Sequence, residues 1–292
     1  MNEAPAGDPS DRPLAVVCGG GSLPYAVAAA ASARGRRVVL FALRGWADAA
    51  RVSSYSHHWI AIGQLGRFRR LAQREGCRDV VCIGSLVRPS LSQLRLDLEA
   101  LKLLPRVFAA FRGGDDHLLS AVGRILGEHG FRLLGAHEVA PEILVPEGVL
   151  GRVRPGARDR ADIARGLTIL DAIGRFDIGQ AAVIANNHCI AVEGAEGTDQ
   201  MLDRVAVMRQ SGRIRTASGA GVLVKAPKPG QDRRFDLPSI GPVTVAGTTA
   251  AGLAGIAVVA GSTVAAEIER LIAEADRGGI FVVGVREDGA FD

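Results

Sequence analysis

The chain has 292 residues, 48% of them hydrophobic and 23% charged, with a formal net charge of +4. This composition is enough for a packed core, excludes a chain without fixed structure, and at roughly 100–200 residues per domain points to two domains. The basic residues are scattered and aromatics reach only 4%, so there is neither a basic arm nor a stacking platform for bases, and no nucleic-acid partner is expected.

Residues 1–13 are polar and read as a disordered tail without the basic start and apolar stretch of a signal peptide. Leu14–Cys18 is a continuous apolar run, predicted as a buried strand. The turn Gly19-Gly20-Gly21-Ser22 follows, and a helix is predicted from Leu23-Pro24 to Ala33, with Ser22 able to cap it. Strands are predicted at Val38–Leu43, Trp59–Ile62, Asp79–Ile83 and Phe131–Leu134. Helices are predicted at Arg67–Glu75, at Leu91–Phe111 with a break near Pro105, and from Asp115 or Asp116 to His129. This alternation predicts an α/β fold with a parallel, doubly wound, Rossmann-like sheet.

Residues 139–157 hold three prolines and no sustained period, and read as a linker. The predicted division is therefore a first domain over 14–138 and a second α/β domain over 158–292. The second domain is expected to hold a helix over Ala157–Ile173, a hairpin turned at Asn186-Asn187, and a helix capped by Thr198 and running to Met208. A strand over Gly221–Lys225 precedes a polar, proline-rich loop. Beyond the loop, the expected elements are a strand at Val243–Ala246, a short helix, a strand at Ile256–Val259, a long helix at Thr263–Asp276 and a strand at Ile280–Val285. Leu237–Ala266 carries no charge, yet its Pro and Gly residues divide it into short runs, so it reads as buried strands and helix rather than a membrane span. Cys18, Cys77, Cys82 and Cys189 form no CxxC pair and read as buried thiols of a reducing compartment.

Four segments have chemistry in view. The glycine turn opens a helix, where free N–H groups and the positive dipole end favour a phosphate; the plainer reading is a tight turn. Gly19-x-Gly21 begins a dinucleotide fingerprint, but Pro24 stands at the third glycine and Leu43-Arg44 where the ribose-binding acid belongs, which disfavours NAD. Gly114-Asp115-Asp116 starts a helix, and its acids either cap it or hold a metal or ligand hydroxyls. His137-Glu138 follows the fifth strand, at the end of the sheet where ligands gather; His137 suits a phosphate contact, proton transfer or a structural hydrogen bond. The loop Lys225–Gly241 packs Lys225, Lys228, Gln231, Asp232, Arg233, Arg234 and Asp236 together. Such a loop is either solvated surface or a phosphate site in which cations neutralise oxygens and a carboxylate holds a metal ion; Glu193 and Glu196-Gly197-Thr198-Asp199 add acids in the same domain.

Taken in order, several pieces carry a resemblance: Gly19-Gly20-Gly21-Ser22-Leu23-Pro24, Gly84-Ser85-Leu86-Val87-Arg88-Pro89, Gly114-Asp115-Asp116, Gly135-Ala136-His137-Glu138, Asp177-Ile178-Gly179-Gln180, Glu196-Gly197-Thr198-Asp199, Lys225-Ala226-Pro227-Lys228-Pro229-x-Gln231 and Asp236-Leu237-Pro238-x-Ile240-Gly241. Each is weak alone; the ordered set resembles the UDP-2,3-diacylglucosamine pyrophosphatases of lipid A synthesis, the LpxI family, over nearly the whole chain.

The resemblance implies two domains binding a lipid-linked UDP-sugar between them, and water attack at the α-phosphorus to give UMP and 2,3-diacylglucosamine 1-phosphate. It also implies Mg²⁺ dependence, an essential Asp236, a homodimer, and a cytoplasmic protein in transient contact with the inner membrane surface. The expected site has Asp236 as catalytic residue, binding Mg²⁺ or orienting the attacking water. Gly20, Gly21, Ser22, Leu23, Gly84, Gly114, Asp115, Asp116, His137, Gln180, Thr198, Lys225, Lys228 and Gln231 are expected around the substrate. Leu91–Phe111 is a candidate membrane-facing surface as well as a core helix. The rival functions are a Rossmann-type NAD(P) oxidoreductase and a nucleotide-sugar binding protein without activity.

Overall fold

Apolar β-branched runs alternating with helix-forming sequence build the first sheet. In the computed structural model, which describes residues 12–86, 95–111, 115–234 and 237–291, they give β1 (Leu14–Cys18), α1 (Leu23–Ala33), β2 (Val38–Leu43), α2 (Ala49–Val52), β3 (His57–Ile60), α3 (Leu65–Arg74) and β4 (Asp79–Ile83). They continue with α4 (Leu98–Phe111), α5 (Asp115–Glu128), β5 (Arg132–Leu133) and α6 (Ala136–Val139). The five strands are parallel in the order β3-β2-β1-β4-β5. The chain therefore reverses its winding direction at β1, and the carboxyl ends of β1 and β4 stand side by side, where ligands bind in open α/β sheets. Phe41, Phe68 and Phe131 anchor one face; the Phe41 and Phe68 rings meet edge-on at 4.8 Å.

The second half begins with a short 3₁₀ turn (Pro141–Ile143) and continues through β6 (Gly148–Leu150), α7 (Ala157–Gly174), β7 (Ala181–Ala185), β8 (His188–Val192), α8 (Gly197–Gln210) and β9 (Val222–Lys225). It ends with β10 (Ser239–Ile240), α9 (Pro242–Ala250), β11 (Gly255–Val259), β12 (Val264–Ala265), α10 (Ile268–Gly278) and β13 (Phe281–Val285). Six strands form one sheet in the order β6-β13-β11-β9-β7-β8, with β9, β11 and β13 parallel and the outer strands antiparallel. Both faces are covered: Leu223, Ile256 and Val282 face one apolar cluster, and Val224, Ala257 and Val283 the other. That is why these strands read as unbroken apolar runs. By compactness the chain forms two units; the first takes in the residues up to Pro141 and, from far along the chain, the segment containing Asp232, Arg233 and Arg234.

Several expectations need correction. Val243–Ala246 is not a strand but part of α9: Gly241 occupies the N-cap in extended geometry and Pro242 the first turn, and these start signals outweigh the strand preference of Val and Thr. The 139–157 stretch contains β6, which pairs with β13 as an edge strand too short to show a period. β3 lies two residues before its predicted place because pairing with β2 sets Leu40 opposite His57. α4 passes through Pro105, whose fixed φ is helical and whose missing N–H removes only one bond. Ser22 stands at the N-cap of α1 but makes no side-chain cap bond, and Thr198 lies inside α8, behind an N-cap at Glu196. Cys18 and Cys77 are buried, Cys82 is half-buried, and Cys189 is exposed on β8. Among the described residues no helix is long and apolar enough to cross a membrane.

Candidate functional site

In the first unit, the glycine turn is fixed to the end of β4 by backbone. Gly19 N–H donates to Ile83 O at 2.9 Å, and Gly20 and Ser85 exchange a pair of N–H···O bonds, each 2.9 Å. Gly84 has φ +113°, and a Cβ there would lie 2.8 Å from Gly19 Cα and Gly20 O, so only glycine fits. Ser22 leaves the first N–H groups of α1 without a side-chain acceptor, the condition in which a helix N-terminus favours an anion. Beyond β5, Glu138 accepts the Gly135 N–H at 2.9 Å, while His137 Nδ1 is buried with no hydrogen-bond partner. Burial lowers the His137 pKa below its ordinary value; Glu138 opposes that and Arg233 reinforces it. The imidazole is therefore neutral near pH 7, with one nitrogen unused. Gly20, Gly21, Ser22, Leu23, Gly84 and His137 thus all lie on loops or helix starts of this unit. Asp115 and Asp116 open α5. Gly114, Arg88, Pro89 and Asp236 lie outside the described residues.

In the second unit, four of the motifs converge at the end of β9. Lys225 closes that strand and is buried. β7 runs antiparallel beside it, pairing Ala181 with Lys225, so Gln180 sits next to the loop; its carbonyl accepts the Ala226 N–H at 3.1 Å. The Lys225 ammonium donates to Thr198 Oγ1 at 2.8 Å and to Ser239 O at 2.9 Å. The Thr198 hydroxyl donates in turn to Glu193 Oε1 at 2.7 Å, and Glu193 Oε2 accepts the Gln180 N–H at 2.7 Å. The loop turns back on itself where the Lys228 N–H donates to Gln231 Oε1 at 3.1 Å, and the Lys228 ammonium pairs with Asp177. Asp177 and Gly179 both have positive φ, a backbone that brings Gln180 up to Glu193.

Gln180, Thr198, Lys225, Lys228 and Gln231, expected around the substrate, are therefore one cluster, at the carboxyl end of a parallel strand. Sequence reasoning picked out Gln180 from its motif but passed over Asp177, and took Glu193 only as an extra acid. Ser239 enters through its carbonyl, which no side-chain pattern announces. Two surface depressions of this unit, of about 440 and 360 Å³, contain none of these motif residues. Of the carboxylates in this cluster, Asp177 is engaged by Lys228, and Glu193 by Gln180 and Thr198. Among the described residues no three His, Cys, Asp or Glu side chains gather as a metal cage. Magnesium needs less than that, because it keeps several waters and takes one or two carboxylates plus substrate phosphates.

These features define a two-unit α/β protein, the first sheet in Rossmann order and the second with a lysine-bearing loop at the carboxyl end of β9, one of its three parallel strands. Family models described as the LpxI N-terminal domain and the LpxI C-terminal domain match residues 13–143 and 146–283. The chain is 43% identical over 275 residues, 94% of its length and 98% of the relative's, to the UDP-2,3-diacylglucosamine pyrophosphatase LpxI of Caulobacter vibrioides. It belongs to the LpxI family. A UDP-glucose-4-epimerase structure from Stenotrophomonas maltophila, with bound NAD and formylated UDP-arabinopyranose, aligns with 42% of this chain and 35% of its own at 20% identity; the TM-score of 0.27 is too low to carry any argument.

Proposed function

We propose that this protein hydrolyses the pyrophosphate bond of UDP-2,3-diacylglucosamine to UMP and 2,3-diacylglucosamine 1-phosphate. Beside the family membership, one observation supports it most: Lys225, Lys228, Gln231, Gln180 and Thr198, drawn from three separate motifs, meet at one strand end. Hydrolysis of a diphosphate asks the protein mainly to fix the phosphates and balance their charge. Lys225 and Lys228 supply cations, and the Pro227 and Pro229 stiffening the loop limit the ordering cost on binding. A water oxygen forms a bond to the α-phosphorus as the bond to the bridging oxygen breaks; the water's proton is lost and the lipid phosphate leaves. Asp236 is the acid that orients this water or holds a magnesium ion. That ion, when bound, withdraws charge from the phosphate oxygens. The glycine turn and His137 contribute donors for the nucleotide or sugar.

An acylated substrate lives in a membrane, so the protein works in transient contact with the cytoplasmic face of the inner membrane; the homodimer implied by the family resemblance belongs to the same proposal. Leu96, Leu98 and Leu101, around the start of α4, are exposed, Leu98 to 77%, and support that contact. The test is UDP-2,3-diacylglucosamine with Mg²⁺ in oxygen-18 water. Label is expected in UMP, and Asp236→Ala is expected to abolish turnover with an unchanged circular dichroism spectrum. Label in the lipid phosphate, or a D236A variant keeping most of its activity, would refute the assignment.

A further inference from the structure

We infer that Glu193 is a positioning residue that sets the Lys225 ammonium by way of the Thr198 hydroxyl; its kinetic consequence rests on the pyrophosphatase reading above. A threonine hydroxyl has one proton to donate. Here that proton goes to Glu193 Oε1, so Thr198 Oγ1 meets Lys225 only as an acceptor. Thr198 is thus a relay: it links a carboxylate to an ammonium that sits at the end of β9. The second oxygen of Glu193 is used as well, on the backbone N–H of Gln180. One carboxylate thereby holds two motifs distant in sequence, Asp177–Gln180 and Glu196–Asp199, against the strand that carries Lys225. Gly179 confirms how closely the parts are fitted, since a Cβ there would lie 2.9 Å from Glu193 Cβ.

A glutamine at 193 has only one acceptor oxygen for these two donors. Its amide N–H₂ would face either the Gln180 N–H or the Thr198 O–H, donor against donor. If Thr198 turned its proton toward Lys225 instead, it would meet an ammonium with no lone pair to accept it. The relay therefore fails in E193Q although shape is nearly kept.

The experiment measures UMP release by wild type, E193Q, T198V and the double variant. Each single variant is expected to lower kcat/KM about 10- to 100-fold, the range seen when outer partners of a charged site are removed. The double variant is expected to be no worse than the poorer single one, because both cut one path. T198S is expected to recover at least about tenfold of what T198V loses. Losses that multiply in the double variant, or singles within twofold of wild type, would overturn the inference.

A second readout needs no substrate. The Lys225 ammonium is followed by ¹⁵N-lysine NMR, assigned by its absence in K225R, and its proton exchange is expected to be faster in E193Q and T198V than in wild type. Unchanged exchange in both overturns the positioning role. Wild type that exchanges slowly, with both variants faster, but that releases no UMP overturns the pyrophosphatase reading and leaves the relay standing.

Discussion

Gly179→Ala isolates the contact on which the second unit's cluster depends. Gly179 has φ +36°, a left-handed conformation that costs a residue with a Cβ about 1–2 kcal/mol. The new methyl would lie 2.8 Å from the Glu193 carbonyl carbon and 2.9 Å from its Cβ, and closer still to the carbonyl oxygen. Ordinary carbon contacts begin near roughly 3.5 Å and the carbonyl oxygen is met more closely than either carbon, so something must move by about 1 Å. The atoms met are backbone and Cβ of β8's neighbour and cannot swing aside, which adds about 1–3 kcal/mol of overpacking. The stiffer unfolded chain gives back about 0.4–1 kcal/mol, leaving a net cost of about 1–5 kcal/mol. In a unit of this size that lowers Tm by about 2–20 °C. If segment 177–180 moves instead, the melting change shrinks, but Gln180 withdraws from Glu193 and kcat/KM falls by at least about tenfold. Scanning calorimetry and UMP release on the same preparation read both. A variant melting within about 1 °C of wild type and turning over within twofold would refute the reasoning.

Two further outcomes concern the first unit. Asp79 is 3% exposed and is held by Arg36 and, in two bonds of 2.7 and 2.8 Å, by Arg132; burial raises its pKa, but these bonds outweigh burial and leave it lowered. Its contribution is therefore present above about pH 3.9, the unfolded value, and is lost as the pH falls through the folded value. Asp79→Asn should lower stability in urea unfolding at pH 7 by about 2–4 kcal/mol, below the full cost of an enclosed pair because Arg132 is half exposed. The same variant should flatten the acid limb of the stability curve. His137 works in the opposite sense to a salt-bridged histidine. Its lowered pKa makes the folded state resist protonation, so stability is full above about pH 6.5 and declines as the pH falls below it. NMR titration of the imidazole should give a midpoint below about 6.5, and a higher midpoint would show that Nδ1 has found an acceptor.

What the sequence made legible followed from burial. β1, β2 and β4 are central, covered on both faces, and their bounds match the apolar runs Leu14–Cys18, Val38–Leu43 and Asp79–Ile83 residue for residue. The Asn186-Asn187 turn was equally plain, because both residues tolerate positive φ, here +50° and +65°. Elements set by pairing rather than by their own composition were missed. β6 has three residues and exists because β13 offers it an edge. His57 and His58 look polar, yet the β2 register makes them strand. In α9, valine and threonine preference pointed to a strand, and two residues of start signal decided otherwise. The candidate site divides likewise. Lys225 and Lys228 announced themselves as charges in a stiff loop, whereas Thr198 looked like a helix cap because a serine or threonine before a helix generally is one. Only the approach of β9 to the start of α8 converts its hydroxyl into a link between a lysine and an acid.

The pair of bonds between Gly20 and Ser85 has a mechanical consequence. In a Rossmann sheet the mouth between the two strands at the reversal of winding is open, and a pyrophosphate lies across it. Here backbone stitches that mouth shut, and the glycines at 19 and 84 let the two loops touch with no side chain between them. The loops after β1 and β4 therefore behave as a single rigid lip. A displacement of the turn after β1 is therefore passed through backbone to Ser85 and the end of β4.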